Sequence, residues 1–298
     1  MANQIQSCFR RYEKKYRLTA AQQRFLLEGM APYMKKDAYG AYTICNIYYD
    51  TEDWRLIRTS LEKPVYKEKL RVRSYGVPSG GDRVFVELKK KYDGVVYKRR
   101  VTMPAAQAAP FLDGALPEDA FGQIGREIAW FQRLYRARPR VFIAYDRLAF
   151  AGTEDPELRI TFDTNLRWRD TQLDLRLGDH GAPIGDPDMI LMEVKIPGVC
   201  PLWLSRLLSQ AGVYPTSFSK YGACYQQHIL SKEGRFCAYT TAHTLVKVKT
   251  SNMGTLYELE YRVTLPEDCI PKAFLDALRC RNGNLNIVCG RELTKDVL

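Results

Sequence analysis

Apolar and polar residues alternate with a period of two in five separate stretches of the chain. In YKEKLRVRSYG (66–76), Lys67, Lys69, Arg71 and Arg73 occupy one set of alternate positions, with Glu68, Leu70, Val72 and Ser74 between them. Successive side chains of a strand point to opposite faces, so the four cations project together. VFVELKKKY (84–92) sets Glu87, Lys89 and Lys91 against Val84, Val86 and Leu88. LRITFDTNLRW (158–168) sets Arg159, Thr161, Asp163, Asn165 and Arg167 against Leu158, Ile160, Phe162, Leu166 and Trp168. ILMEVKI (190–196) places Glu193 with Lys195, and RRYEKKYRL (10–18) places Arg11, Glu13, Lys15 and Arg17 opposite Tyr12, Tyr16 and Leu18. Such alternation predicts half-buried strands. Further strands are expected at 42–49, 95–102 and 140–150, with Asp93-Gly94 as a hairpin turn.

Helical spacing is rarer. Thr19 and Gln22 form a capping-box pair ahead of a helix expected over 19–35, whose apolar face is Phe25, Leu26, Met30 and Met34. Ile124, Ile128, Phe131 and Leu134 predict a helix over 123–137. Pro201 can open a helix through Leu208, and Ser217 is a candidate N-cap for 217–230. The chain therefore reads as α+β. Any one charged strand face could simply be solvated. Five cationic faces, with helices needing the apolar faces behind them, weaken that reading: if helices cover the outside, the strands can curl so that the charged faces line an enclosed channel, as in a closed barrel with a polar lumen. Enclosed lysines and arginines are costly to desolvate unless paired. Glu13, Glu87, Asp163 and Glu193 offset only part of that charge, and the remainder calls for a polyanion.

Composition sharpens the expectation. The 298 residues carry 45 Lys+Arg against 34 Asp+Glu, a formal charge of +11, which implies an anionic partner. The eight cysteines and three histidines are scattered without zinc-site spacing. No stretch approaches the roughly 20 apolar residues of a spanning helix. With no signal-peptide pattern at its start, the chain is expected to be cytoplasmic. It has no GxSxG elbow and no Gly-rich Walker loop.

From about Phe9 to Gln227 the chain resembles the catalytic domain of the vacuolar transporter chaperone (VTC) polyphosphate polymerases, of the triphosphate tunnel metalloenzyme (CYTH) superfamily. The matching stretches are RRYEKKYRL, NIYYDTEDWRL, KLRVRSYG, VFVELKKK, AYDRLAF, LRITFDTNL, LMEVKIPG and FSKYG. The resemblance implies an antiparallel closed β-barrel with helices packed outside, forming a basic tunnel over residues 1–232. It implies that Arg71, Arg73, Lys89, Arg147, Arg159 and Lys220 act on phosphates, with Lys15, Lys195 and either Lys98 or Arg100 binding substrate. Glu193 would hold Mn2+ or Mg2+, supported by Glu87 and Glu13. Arg11 stands where the hydrolase and cyclase branches carry the first acid of Glu-x-Glu-x-Lys, which favours the polymerase branch. Ser217 stands where some polymerases carry a second basic residue. Residues 240–298 read as strand, strand, helix, strand. They resemble the soluble tail of an uncharacterised bacterial membrane protein family, which implies a small α+β module and a membrane-protein partner.

The expected reaction is transfer of the ATP γ-phosphate to a growing polyphosphate chain, since phosphoryl transfer asks mainly for positioning and charge neutralisation. Three alternatives remain: a tunnel triphosphatase using water, a non-catalytic polyphosphate or nucleotide sensor, and a nucleic-acid-binding sheet, which has the right charge. Nucleic acid is not expected as a partner, because the tyrosines and phenylalanines are read as lying mostly on the apolar faces, away from the cations.

Overall fold

The computed structural model describes residues 12–62, 64–93, 95–230, 240–251, 256–265, 274–275, 278 and 287–290. The chain divides into two compact units, residues 1–227 and 228–298.

In the first unit, strand β1 (Tyr12–Leu18) leads through helix α1 (Ala20–Met30) into the long strand β2 (Met34–Asp50). The capping box forms as expected, with Gln22 N donating to Thr19 Oγ1 at 3.2 Å and Thr19 N donating to Gln22 Oε1 at 3.0 Å. The helix stops at Met30 rather than at 35. Pro32 has no N–H to continue it, and Met34 already belongs to β2. Helix α2 (Arg55–Leu61) has no signature in the apolar pattern. It is anchored by the buried Asp50 carboxylate, which accepts from Leu56 N at 2.9 Å and Ile57 N at 3.0 Å.

Strands β3 (Tyr66–Tyr75), β4 (Arg83–Tyr92) and β5 (Val95–Pro104) form a meander. Asp93, at φ +43°, begins the two-residue turn between the last two, a backbone region that Asp tolerates in hairpins. Helices α3 (Ala105–Leu112) and α4 (Gly122–Tyr135) follow, then β6 (Arg138–Gly152), β7 (Arg159–Arg169), the two-residue β8 (Ala182–Pro183) and β9 (Ile190–Ile196). Helix α5 (Leu202–Gln210) precedes the short α6 (Lys220–Cys224), which runs into a π-helical turn at Tyr225–Ile229. The α6 N-cap is Ser219 and not Ser217: Ser219 Oγ accepts from Gly222 N at 3.1 Å.

The sheet is antiparallel, with strand order β1-β9-β7-β6-β2-β3-β4-β5 and β8 paired to β7. The closed barrel expected from the sequence is not completed by hydrogen bonds. Strands β1 and β5 end the path, and no ladder joins them among the described residues. The sheet nevertheless curls. Lys69 on β3 lies within electrostatic reach of Lys15 on β1, and Lys89 on β4 within reach of Glu13 and Glu193 on β1 and β9.

The convex face carries the core in two clusters. Leu70, Val72, Val86, Leu88 and Val101 pack with Phe111 of α3 and Ile128 and Phe131 of α4. Tyr16, Ile160, Phe162, Met192 and Val194 pack with Leu26 and Met30 of α1 and Leu204 of α5. Each such aliphatic or aromatic side chain contributes about 1.5–3 kcal/mol on burial, and this is why the apolar set of every strand faces the helices. Tyr12 departs from the expected core placement, being 64% exposed. The β7 face also departs. A bulge opposite Ala144 and Asp146, with Asn165 at φ +49°, switches the parity. Arg167 pairs across from Ala144 and bonds Asp146 and Asp179 on the convex side, away from Asp163. A one-residue insertion in one strand has this effect because the side-chain period is two.

The second unit contains an antiparallel hairpin of β10 (Ala242–Ser251) and β11 (Leu256–Thr264), with a register shift between Leu245 and Lys247. Of the helix expected after it, residues 274–275 and 278 are described and helical, while residues 287–290 are not in a strand. No helix among the described residues is long and apolar enough to cross a membrane.

Candidate functional site

Residues directly opposite each other in an antiparallel ladder share a face. The registers therefore assemble the concave surface: Lys15–Glu193–Thr161 across β1, β9 and β7, Asp163–Arg147–Tyr42 across β7, β6 and β2, and Tyr48–Arg71–Glu87–Arg100 across β2 to β5. Lys69, Lys89 and Lys98 form a further row beside the last of these.

Two buried carboxylates organise the cations. Glu87, only 1% exposed, receives Arg71 Nε at 2.8 Å on Oε2, and Lys98 Nζ at 2.7 Å and Arg100 Nη2 at 2.9 Å on Oε1. Arg73 approaches the same carboxylate at 3.7 Å and donates to Asn46 Oδ1 at 3.1 Å. Burial alone would raise the Glu87 carboxyl, but Arg71, Arg73 and Lys98 hold it well below the usual range. Asp163, fully buried, takes a bidentate pair from Arg147 (Nε to Oδ1 2.6 Å, Nη2 to Oδ2 2.8 Å) and Lys220 Nζ at 2.6 Å. Lys220 also sits 4.2 Å above the Tyr145 ring.

Lysines exceed these counter-ions. Lys69 donates to Ser219 Oγ at 3.3 Å, and Lys89 makes no ion pair among the described residues. Burial, then Lys89, Lys67, Lys15 and Arg71, push the Lys69 ammonium down to about 7. Lys98 is likewise lowered to about 7, by burial first and against the pull of Glu87. Lys67 turns to the Ser60 carbonyl at 3.1 Å, whereas Lys69 belongs to the lysine row. One end of the curl is crossed by the segment before α6. Lys15 Nζ donates to the Phe218 carbonyl at 2.9 Å, Ser219 meets Lys69, and Tyr221 stacks on Tyr48 with ring centroids 4.5 Å apart.

The expected metal ligands do not converge. Glu193 is nearly buried, 3.2 Å from Lys195 Nζ. Burial would raise its carboxyl, but Lys195, Lys15, Arg147 and Lys220 hold it low. It is thus an ionised oxygen donor. Glu13 is exposed and lies 3.5 Å from Lys15 Nζ, and both Glu87 oxygens are taken by cations. Among the described residues no three His, Cys, Asp or Glu side chains gather as a metal site. Mg2+ and Mn2+ are commonly held by one or two carboxylates together with substrate phosphates, a requirement that Glu193 alone can meet. Arg159, expected on phosphate, is exposed at the start of β7 across from Lys195.

Aromatic rings also occupy the concave face, contrary to the expectation that they lie opposite the cations. Tyr42, Tyr75 and Phe85 belong to it by register, and a row Tyr39–Tyr42–Tyr75–Phe85 has centroid separations of 6.3, 5.9 and 5.7 Å. The signal was present in the sequence: Tyr75 has the parity of Arg71 and Arg73, and Phe85 that of Glu87 and Lys89. A separate cavity of about 860 Å3, bordered by Arg17, Thr19, Asp186 and Phe218, holds no comparable cluster of cations.

Several known proteins are similar to this chain. It is 26% identical to vacuolar transporter chaperone complex subunit 4 of Schizosaccharomyces pombe, across 60% of this chain and 30% of that protein, so it spans under a third of that relative's length. A Hippeastrum protein, described as a candidate adenylyl cyclase with a dominant triphosphatase activity, aligns at TM-score 0.44 and 18% identity, covering 72% of this chain and 94% of its own. A candidate adenylate cyclase from Bacillus halodurans aligns at TM-score 0.44 and 12% identity, covering 72% and 96%. A family model for the VTC domain matches residues 10–229, and the chain belongs to the VTC domain family.

Proposed function

We propose that this protein is a polyphosphate polymerase-like phosphotransferase, moving the ATP γ-phosphate onto a growing polyphosphate chain held on the concave face. The observation that carries this reading is the lysine row, Lys69, Lys89 and Lys98, set beside arginines already paired to Glu87. In this reading a polyanion supplies counter-charge to Lys69 and Lys89, and to Lys98, which shares Glu87 with three arginines, and it bridges the two ends of the curl and completes the tunnel. Membership of the VTC domain family supports the choice of polyphosphate among polyanions.

In this mechanism Arg71, Arg73 and Arg100 hold phosphate oxygens through planar donor forks, and Lys69, Lys89, Lys98 and Lys15 act as point charges along the chain. Arg147 and Lys220, positioned by Asp163, face the transferred group. A divalent cation at Glu193 would neutralise charge on the bridging and terminal phosphates. The attacking terminal phosphate, with a second pKa of about 6, is already anionic at neutral pH, so no protein base is required. ADP leaves with its charge matched by the arginines. The setting we propose is the cytoplasmic side of a membrane, with residues 240–298 as a docking module for a membrane-protein partner.

The test incubates the pure protein with ATP and Mn2+ or Mg2+ and resolves the products on a polyphosphate gel. Chains should form, and Arg71→Ala and Glu193→Gln should each abolish them while leaving the fold intact. Absence of chains in both ions, with or without a primer, refutes polymerisation, and orthophosphate released from tripolyphosphate under the same conditions would assign hydrolysis instead.

A further inference from the structure

The phosphate site proposed above leaves unused the row of rings at one end of the concave face. Phe85 stands directly across from Arg73 and carries the Arg100 guanidinium 4.6 Å above its ring. Tyr75 lies two residues beyond Arg73 on β3, about 6.8 Å along the strand. Tyr42 stands across from Arg147. The rings thus adjoin three of the phosphate-facing arginines, on the same surface and in the outward direction.

These rings are not spent on the core. Tyr75 remains 52% exposed and Tyr39 82% exposed. Tyr75 meets Phe85 at 84° and Tyr39 meets Tyr42 at 78°, edge-to-face contacts that cover at most one face of one ring in each pair. The backbone presents them. Gly76, at φ +73°, turns the chain just after Tyr75, and Gly40, at φ +69°, lies in the β2 irregularity between Lys36 and Ala41 beside Tyr39. Bulges of this kind re-aim side chains, and both glycines occupy the left-handed region that other residues rarely adopt.

We infer that this row is a base-stacking subsite: it receives the aromatic base of a nucleoside triphosphate whose phosphates run inward to Arg73, Arg100 and Arg147. The inference rests on the channel being the phosphate site and ATP the donor, as proposed above, and it adds where the base of that donor is held. A flat ring with a free face accepts any base, and Tyr75, the most exposed of the three concave-face rings, is the main platform. A single-stranded nucleic acid would stack on similar rings, but its phosphates would have to track alongside them. Here the cations lead away from the rings along the concave face instead.

The experiment measures calorimetric affinities of the full chain for ATP and for inorganic tripolyphosphate, in wild type, Tyr75→Ala and Tyr75→Phe. Tyr75→Ala should weaken ATP about tenfold, the size of one lost stacking contact, and leave tripolyphosphate unchanged. Tyr75→Phe should restore ATP binding. Equal weakening of both ligands, or no change in either, overturns the subsite while leaving the phosphate channel standing. Wild type that binds neither ligand overturns the channel and the subsite together. Tyr75-dependent binding of a single-stranded oligonucleotide tighter than that of ATP overturns the assignment in favour of a nucleic-acid platform.

Discussion

Glu87 and Lys69 mark two opposite ways in which this protein handles buried charge. Glu87 serves four cations at once, so removing its charge leaves them facing one another. Glu87→Gln should therefore cost on the order of 3 kcal/mol of stability. Added tripolyphosphate should recover more of the melting temperature in this variant than it adds to wild type, since it replaces the missing counter-charge. Thermal melts with and without the anion check both parts. Lys69 illustrates the second way, pushed down to about 7 from the ordinary lysine value of about 10.4, and Lys98, though exposed and paired to Glu87, is likewise lowered to about 7. Because these values are lowered, the folded chain sheds the protons first as pH rises. The two groups weigh against stability below pH 7, and that penalty is relieved between 7 and about 10.4. A bound polyanion favours the ammonium forms and reverses the preference. Binding at pH 8 should take up protons, and affinity should fall as pH rises from 7 to 9. Calorimetry in two buffers of different ionisation heat reads the uptake directly, and a zero result would remove these lysines from the site.

The sequence made the direction of most of these side chains legible, because parity alone assigns a face. It could not rank Lys69 above Lys67, since their difference arises from Ser219 and Lys15, which are distant in the chain. Tyr75 and Phe85 escaped for another reason: an aromatic residue on a charged face looks apolar and is assigned to the core by habit. Arg159 shows the limit of parity, having the right face but lying at the strand's exposed end.

Among the elements, strands were the easiest to read, with β9 found at its full extent, Ile190–Ile196. Alternation failed where the backbone departed from the pleat, as at Asn165, where nothing in LRITFDTNLRW announces the bulge. Helices α2 and α3 were missed because one depends on a side-chain anchor, Asp50, and the other is a short segment, AAQAAPFL, interrupted by Pro110. Helix α4 offers a test of packing against propensity. Gly125 lies mid-helix, where alanine would ordinarily gain up to about 1 kcal/mol. A Cβ there would stand 2.5 Å from the Glu118 carbonyl oxygen and 2.8 Å from Phe121 Cβ, neither of which can easily move. The clash should win, and Gly125→Ala should lower stability by about 1–3 kcal/mol in urea titrations. A stabilised variant would show that the turn before α4 yields.

For the molecule as a whole, the two apolar clusters both lie within residues 16–213. A chain ending at residue 230 should thus fold with a cooperative transition and retain tripolyphosphate affinity, which circular dichroism and calorimetry would show. Loss of folding would make the second unit part of the core. The basic charge and curled architecture were foreseeable from composition and alternation together. The closure was not, because whether two terminal strands exchange hydrogen bonds depends on register and curvature summed over the whole sheet. That open seam has a further consequence. Strand β5 pairs with β4 alone among the described residues, so its other edge has no strand partner there. Lys98, Arg99 and Arg100 line this strand, so two copies approaching edge to edge repel each other. In the proposed reading the cations that would hold a polyanion would also oppose such edge pairing, and a saturating polyanion would lift that guard. Resistance to self-association and occupancy by a polyanion would therefore stand in opposition at this edge.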